Sequence, residues 1–189
     1  MSPDEREAAA LAWIAPYTRA PHLRRTREWA AELCPDPPEA LVLAALTHDM
    51  EEHFPDGPKY DPATQEPGDF EYRWQHSVRS AQLVEPFLHS HGASDALVAE
   101  TETLILLHEL GGDDVADVLQ AADSLAFLET DAGRVAAWVR EGVCSCDRAK
   151  AELRWYADRI LIPRARELAR PLLERALLTV DPAVDLPAA

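Results

Sequence analysis

The hydrophobic pattern is helical almost throughout. Its strongest feature is Leu41-Val42-Leu43-Ala44-Ala45-Leu46, nearly uniform in apolarity, which runs through Thr47 straight into His48-Asp49. A helix apolar on every side is a buried helix, and Pro37-Pro38-Glu39 ahead of it suits a first turn. Ser2-Pro3-Asp4-Glu5 reads as a cap, an N1 proline and an acidic first turn, opening a helix to about Ile14 before Pro16. Further helices are predicted from about His22 to Leu33, from Phe70 to His91 with Gly92 as the stop, from a Ser94-Asp95 cap to Leu110, and from Asp113-Asp114 to about Glu129. Shorter helical pieces follow, then a helical stretch from about 147 to 179 interrupted at Pro163 and Pro171, and a frayed end over 181–189. Residues 51–69, rich in proline and charge, predict a loop placed directly after the His-Asp pair, in the position of a lid. Alternating β-branched runs are missing. The pattern therefore predicts an all-α bundle of eight or nine helices, one domain over 1–189 with a core at about 20–130 and a helical extension at about 145–180.

Composition narrows the partners. With 47% hydrophobic and 28% charged residues the 189-residue chain is ordinary for a folded domain. Its formal net charge of −16 disfavours nucleic acid and anionic membrane as partners. No apolar run approaches a membrane span, the acidic start lacks the basic region of a signal peptide, and Cys34, Cys144 and Cys146 make no disulfide framework. The expectation is a cytoplasmic protein whose ligand is small.

The chemistry lies in the polar residues that interrupt apolar helices. His48-Asp49 ends the buried helix, and Asp123 sits inside Leu119-Gln120-Ala121-Ala122-Asp123-Ser124-Leu125-Ala126-Phe127-Leu128. An unpartnered buried polar group costs roughly 2–7 kcal/mol on transfer scales. A histidine on a helix C-terminus beside a solvated aspartate would account for His48-Asp49 alone. The wider inventory points elsewhere: His22, His76 and His108 each fall on a separate predicted helix. A bundle can bring such residues to its centre, where a metal ion takes imidazole and carboxylate together.

The order His22 … His48-Asp49 … Asp123 resembles the HD-domain superfamily of metal-dependent phosphohydrolases. The flanks agree: His22-Leu23-Arg24-Arg25-Thr26-Arg27-Glu28-Trp29-Ala30 is similar to its first-histidine helix, Ala44-Ala45-Leu46-Thr47-His48-Asp49 to its naming motif, and Gln120-Ala121-Ala122-Asp123-Ser124-Leu125 to its closing helix. The resemblance covers about residues 20–130. It implies an HD-type bundle with a divalent metal on His22, His48, Asp49 and Asp123. Branches with two additional histidines hold two metals, which here implies His76 and His108 on the second and Asp49 bridging. Iron or manganese is the expected metal.

The same resemblance makes Glu52, in His48-Asp49-Met50-Glu51-Glu52, the candidate general base, and a small phosphorylated metabolite or nucleotide the expected substrate. Arg19 and Arg25 beside His22, and Arg79 one turn after His76, are candidates for its phosphate oxygens. No Gly-Lys follows the His-Asp pair and no GYP-like sequence follows His108, which argues against cyclic-di-GMP hydrolysis. His53 stands where a ppGpp hydrolase carries Asp. The short interval from His108 to Asp123 resembles compact members such as dinucleoside tetraphosphate hydrolases. Two other readings stay open: a di-iron oxygenase, and a non-catalytic metal-binding helical domain. The segment from Lys150 to Leu178 either packs on the domain or forms a homodimer contact.

Overall fold

The computed structural model describes residues 1–180; the fraying expected over 181–189 lies outside the described residues. Among the described residues the chain is all-α, with nine α-helices and no strand. They are α1 (Pro3–Ile14), α2 (Ala20–Leu33), α3 (Glu39–Thr47), α4 (Phe70–Ser90), α5 (Asp95–Leu107), α6 (Asp114–Thr130), α7 (Ala132–Arg140), α8 (Cys146–Asp158) and α9 (Pro163–Val180).

Local chemistry sets most boundaries. Ser2 and Glu5 close a reciprocal capping box on α1. Asp69, Ser94, Asp113 and Ser145 accept backbone N–H bonds at the starts of α4, α5, α6 and α8. α2 begins at Ala20, two residues ahead of the expected start, with Pro21 in its first turn, where a missing N–H is harmless. Two expectations are corrected. The loop after the His-Asp pair does not begin at once: Met50–His53 forms a 3-10 turn, drawn inward because Met50 and Glu51 are fully buried. Pro163 opens α9, but Pro171 does not interrupt it. A proline inside a helix loses a hydrogen bond and clashes, about 3 kcal/mol. The buried stripe Ala165, Ala169, Leu172, Ala176 and Val180 keeps α9 docked through it.

In the packing, α2 lies along α6, α3 sits between α2 and α5 with α1 on its flank, and α4 pairs with α5. α8 and α9 pack on α6 and, with α7, complete the bundle. Leu41, Leu43, Ala44, Ala45 and Leu46 of α3 are 0% exposed, together with Leu119, Leu125 and Ile105. Burying each leucine stabilises the fold by about 1.5–3 kcal/mol. The 54–69 loop folds back on α8. Arg148 donates to the carbonyls of Pro62 and Gln65, and Tyr60 donates to Glu152 at 2.8 Å. Gly68, at φ 74°, lies against the Trp155 indole in a space that a Cβ would occupy.

Candidate metal centre

Each histidine of the centre is aimed by what its Nδ1 touches. His48 and His108 are the C-caps of α3 and α5. Their Nδ1 atoms lie 3.2 Å from the Ala45 carbonyl and 2.6 Å from the Ile105 carbonyl, so each ring donates backwards into its own helix. His76, on α4, has Nδ1 2.9 Å from Glu51 Oε1. His22, in the first turn of α2, has Nδ1 3.3 Å from Asp131 Oδ2. With Nδ1 engaged outward, all four rings turn Nε2 inward as the atom able to ligate a metal.

The inward nitrogens converge on two carboxylates. Asp123 Oδ1 lies 3.1 Å from His22 Nε2 and 3.4 Å from His48 Nε2. Asp49 divides its oxygens: Oδ1 is 2.9 Å from His76 Nε2, 3.5 Å from His48 Nε2 and 3.9 Å from His108 Nε2, while Oδ2 is 3.6 Å from His22 Nε2. All six residues are buried, and Nε2 of His22, His48 and His108 has no hydrogen-bond partner. Three imidazole nitrogens orphaned together among carboxylate oxygens are what a divalent cation satisfies and a core does not. Three overlapping triads — His22/His48/Asp49, His48/His108/Asp123 and Asp49/His76/His108 — each place ligand atoms within 4.8 Å of one another. The buried group can hold a metal ion.

Electrostatics separates the histidines. Burial opposes charge on His22, as does Arg19, but Asp123 and Asp131 outweigh both and its pKa is raised to about 9. Burial also opposes charge on His76, yet Asp49 and Glu51 raise it to about 10. His108 is lowered to about 4, because burial dominates and Glu109 offsets it only partly. Asp49 and Asp123 are held well below the carboxylate range. Burial works against this, and it is outweighed by His48 and Arg19 for Asp49 and by Arg159 and His22 for Asp123.

Around the ligating atoms lies an ionised shell that the sequence reading missed. Arg159 donates to Asp123 Oδ2 and Glu109 Oε2, leaving Asp123 Oδ1 to the histidines. Arg73 donates to Glu109 at 3.0 Å, Glu152 at 2.7 Å and the Tyr156 hydroxyl at 2.7 Å, and stacks on Trp155. Asp131, at the α6–α7 junction, holds His22 and is itself paired with Arg19 and Arg134. The extension is therefore part of the site wall: Tyr156 stacks on Phe127 with ring centroids 3.6 Å apart. Of these residues only Glu109, adjacent to His108, carried a sequence signal. Arg73 and Glu152 sit in helices, and Asp131 and Arg159 at helix ends, where a charge usually means a solvated surface.

The other candidates separate clearly. Arg19 and Glu52 line the cavity beside the centre, with Arg19 Nη1 donating to both Glu52 oxygens at 2.8 and 3.0 Å and Arg19 Nη2 3.2 Å from Asp49 Oδ2. Arg25 is not brought there. It pairs with Glu28 and with Glu129 of α6 at the partly exposed edge of the α2–α6 seam and covers Trp29. Arg79 also lies off the cavity, donating to the Pro55 carbonyl behind Glu51. The cavity is small and is lined by Arg19, Arg73 and Arg134 among acids and aromatic rings.

No family model matches the chain, and no curated protein matches it. Among solved structures, the crystal structure of selenomethionine YpgQ from Bacillus subtilis aligns over 100% of both chains with a TM-score of 0.66 and 19% identity. That is a likeness of fold. No helix among the described residues is long and apolar enough to cross a membrane.

Proposed function

We propose that the protein is a metal-dependent phosphohydrolase of the HD-domain type, acting on a small phosphorylated metabolite or nucleotide. One observation carries the reading: Asp49 presents Oδ1 to His76, His48 and His108 and Oδ2 to His22, so one carboxylate faces two half-sites. His22, His48 and Asp123 would hold one divalent ion, His76 and His108 a second, with Asp49 between them; imidazole and carboxylate suit manganese or iron. A metal pair so held supplies Lewis acidity and an acidified water. Glu52 would serve as the base toward an attacking water, and Arg19 holds its carboxylate in place by bridging Glu52 and Asp49. Arg19, Arg73 and Arg134 place guanidinium groups in a wall that also carries Asp49, Glu52, Glu109, Asp123 and Glu152, so a bound metal would be what turns the local charge toward an anion. The small cavity and acidic surface favour a small anion over nucleic acid or membrane.

The test is metal content and turnover together. The expected result is about two equivalents of manganese or iron on the wild type and phosphate release from phosphorylated metabolites. Oxygen consumption by the iron form without phosphate release would replace hydrolysis by oxygenase chemistry. No metal after reconstitution would overturn the reading.

A further inference from the structure

Adjacent glutamates in the 3-10 turn take opposite directions. Glu52 enters the cavity toward Arg19, whereas Glu51 turns behind the centre and is 0% exposed. Its backbone N–H donates to Ser80 Oγ at 3.2 Å, anchoring the turn to α4, and its Oε1 takes the Nδ1 side of His76 at 2.9 Å. The other oxygen, Oε2, is buried with no hydrogen-bond partner, 3.9 Å from Arg79 Nε, which is also buried and unpartnered. Directly over Oε2 stands Gly57, where any Cβ would collide with that oxygen. The loop thus leaves room for this carboxylate beside His76. The four rings differ in this respect: His48 and His108 are held by carbonyls of their own helices, while His76 depends on a carboxylate from another element. A carboxylate behind a ligating imidazole fixes its ring and raises its donor strength, and losing one typically weakens metal binding about 10–100-fold.

We propose that Glu51 is the positioning residue of the His76–His108 half of the centre, kept in place by the absence of a side chain at Gly57. Without its carboxylate, that half loses its metal while the His22–His48–Asp123 half keeps its own. The inference rests on the two-metal reading above. It assigns Glu51 no contact with substrate.

The experiment is manganese titration of the full-length apoprotein by calorimetry, with metal counted after desalting and the manganese EPR spectrum recorded. The variants are Glu51→Ala, Glu51→Gln, Gly57→Ala and, as the mirror control behind His22, Asp131→Asn, each checked for folding by circular dichroism. The expected result is about two equivalents on the wild type with a spin-coupled spectrum, and about one on Glu51→Ala with the spectrum of isolated manganese. Glu51→Gln, which keeps an acceptor oxygen, retains both with the weaker site loosened about 10-fold. Gly57→Ala loosens that same site although it alters no ligand, and Asp131→Asn loosens the other. If Glu51→Ala does not fold, Glu51→Gln and Gly57→Ala decide by the same criterion. Two equivalents at wild-type affinity in the folded Glu51 and Gly57 variants would overturn the proposal and leave the metal reading standing. So would equal loss of both equivalents in folded Glu51→Ala. A wild type that binds one equivalent or none removes the two-metal reading itself.

Discussion

Two walls meet at the middle of this bundle, both buried and opposite in chemistry. One is α3 with its neighbours, where Leu41, Leu43, Leu46, Leu119 and Leu125 are 0% exposed. The other is the set Arg73, Glu109, Asp123, Glu152 and Arg159, whose side chains are only 3–8% exposed. In the first wall each residue contributes separately through the area it removes from water. In the second, each charge forfeits several kcal/mol of solvation that only its neighbours return. The apolar wall degrades piecemeal; the ionised wall fails as a unit. A protein that needed only stability would have the first wall on both sides, so the second marks where the chemistry is.

The largest break comes where the ionised wall meets the histidines. Asp49→Ala removes the shared carboxylate, and turnover is expected to fall on the order of 10³-fold or more, since a metal contributes several kcal/mol to such a transition state; metal analysis of the same variant should show both ions lost. Next is Arg159→Met, which strands Asp123 and Glu109 and should cost about 3–5 kcal/mol in urea unfolding of the metal-free protein. Leu46→Ala in the apolar wall should cost about 2–5 kcal/mol. The two are told apart by pH. Although burial raises it, Glu109 is brought down to about 2 by Arg73 and Arg159 from its ordinary 4.5. Stability from that pairing is present above about 4.5 and is lost as the pH falls toward about 2. The Arg159→Met deficit should therefore shrink on acidification and the Leu46→Ala deficit should not.

A finer contrast lies within the histidines. His22 and His76, raised to about 9 and about 10, are protonated at neutral pH in the metal-free protein and must release those protons to bind; His108, lowered to about 4, has none to release. Metal affinity is expected to fall with acid and rise about tenfold per pH unit for each proton displaced, up to about pH 9. Calorimetry in buffers of different ionisation enthalpy counts those protons, and an affinity flat between pH 6 and 8 would contradict the expectation. The smallest effect is expected at Arg25: Arg25→Ala loses only partly exposed pairs with Glu28 and Glu129, worth about 0–1 kcal/mol by thermal melting.

The helices were legible because their signals are local. Caps at Ser2, Asp69, Ser94, Asp113 and Ser145 act within a turn. The two places where local reasoning misplaced an element, the 3-10 turn at 50–53 and the passage of α9 through Pro171, are places where burial of distant surfaces overrode a local preference. The six candidate ligands stood out as polar residues in apolar surroundings, and their meeting is a matter of geometry that the structure supplies. Their supporting shell did not stand out. An arginine such as Arg159 at the end of a polar helix looks the same whether it faces water or Asp123, and Glu51 cannot be told from Glu52 by type or neighbourhood.

What the sequence determined by itself is the all-α class, the order of the helices and the identity of the polar residues that no apolar helix would carry without a partner. Those follow from backbone hydrogen bonding and the period of the hydrophobic face, which act over a few residues. Only the tertiary structure decided that Asp49 faces two groups of histidines, that the extension supplies the counter-charges, that Arg25 and Arg79 stand apart, and that Gly57 leaves room for Glu51. Ion pairing and desolvation depend on distance through space, and that distance is set only when segments far apart in the chain are packed together.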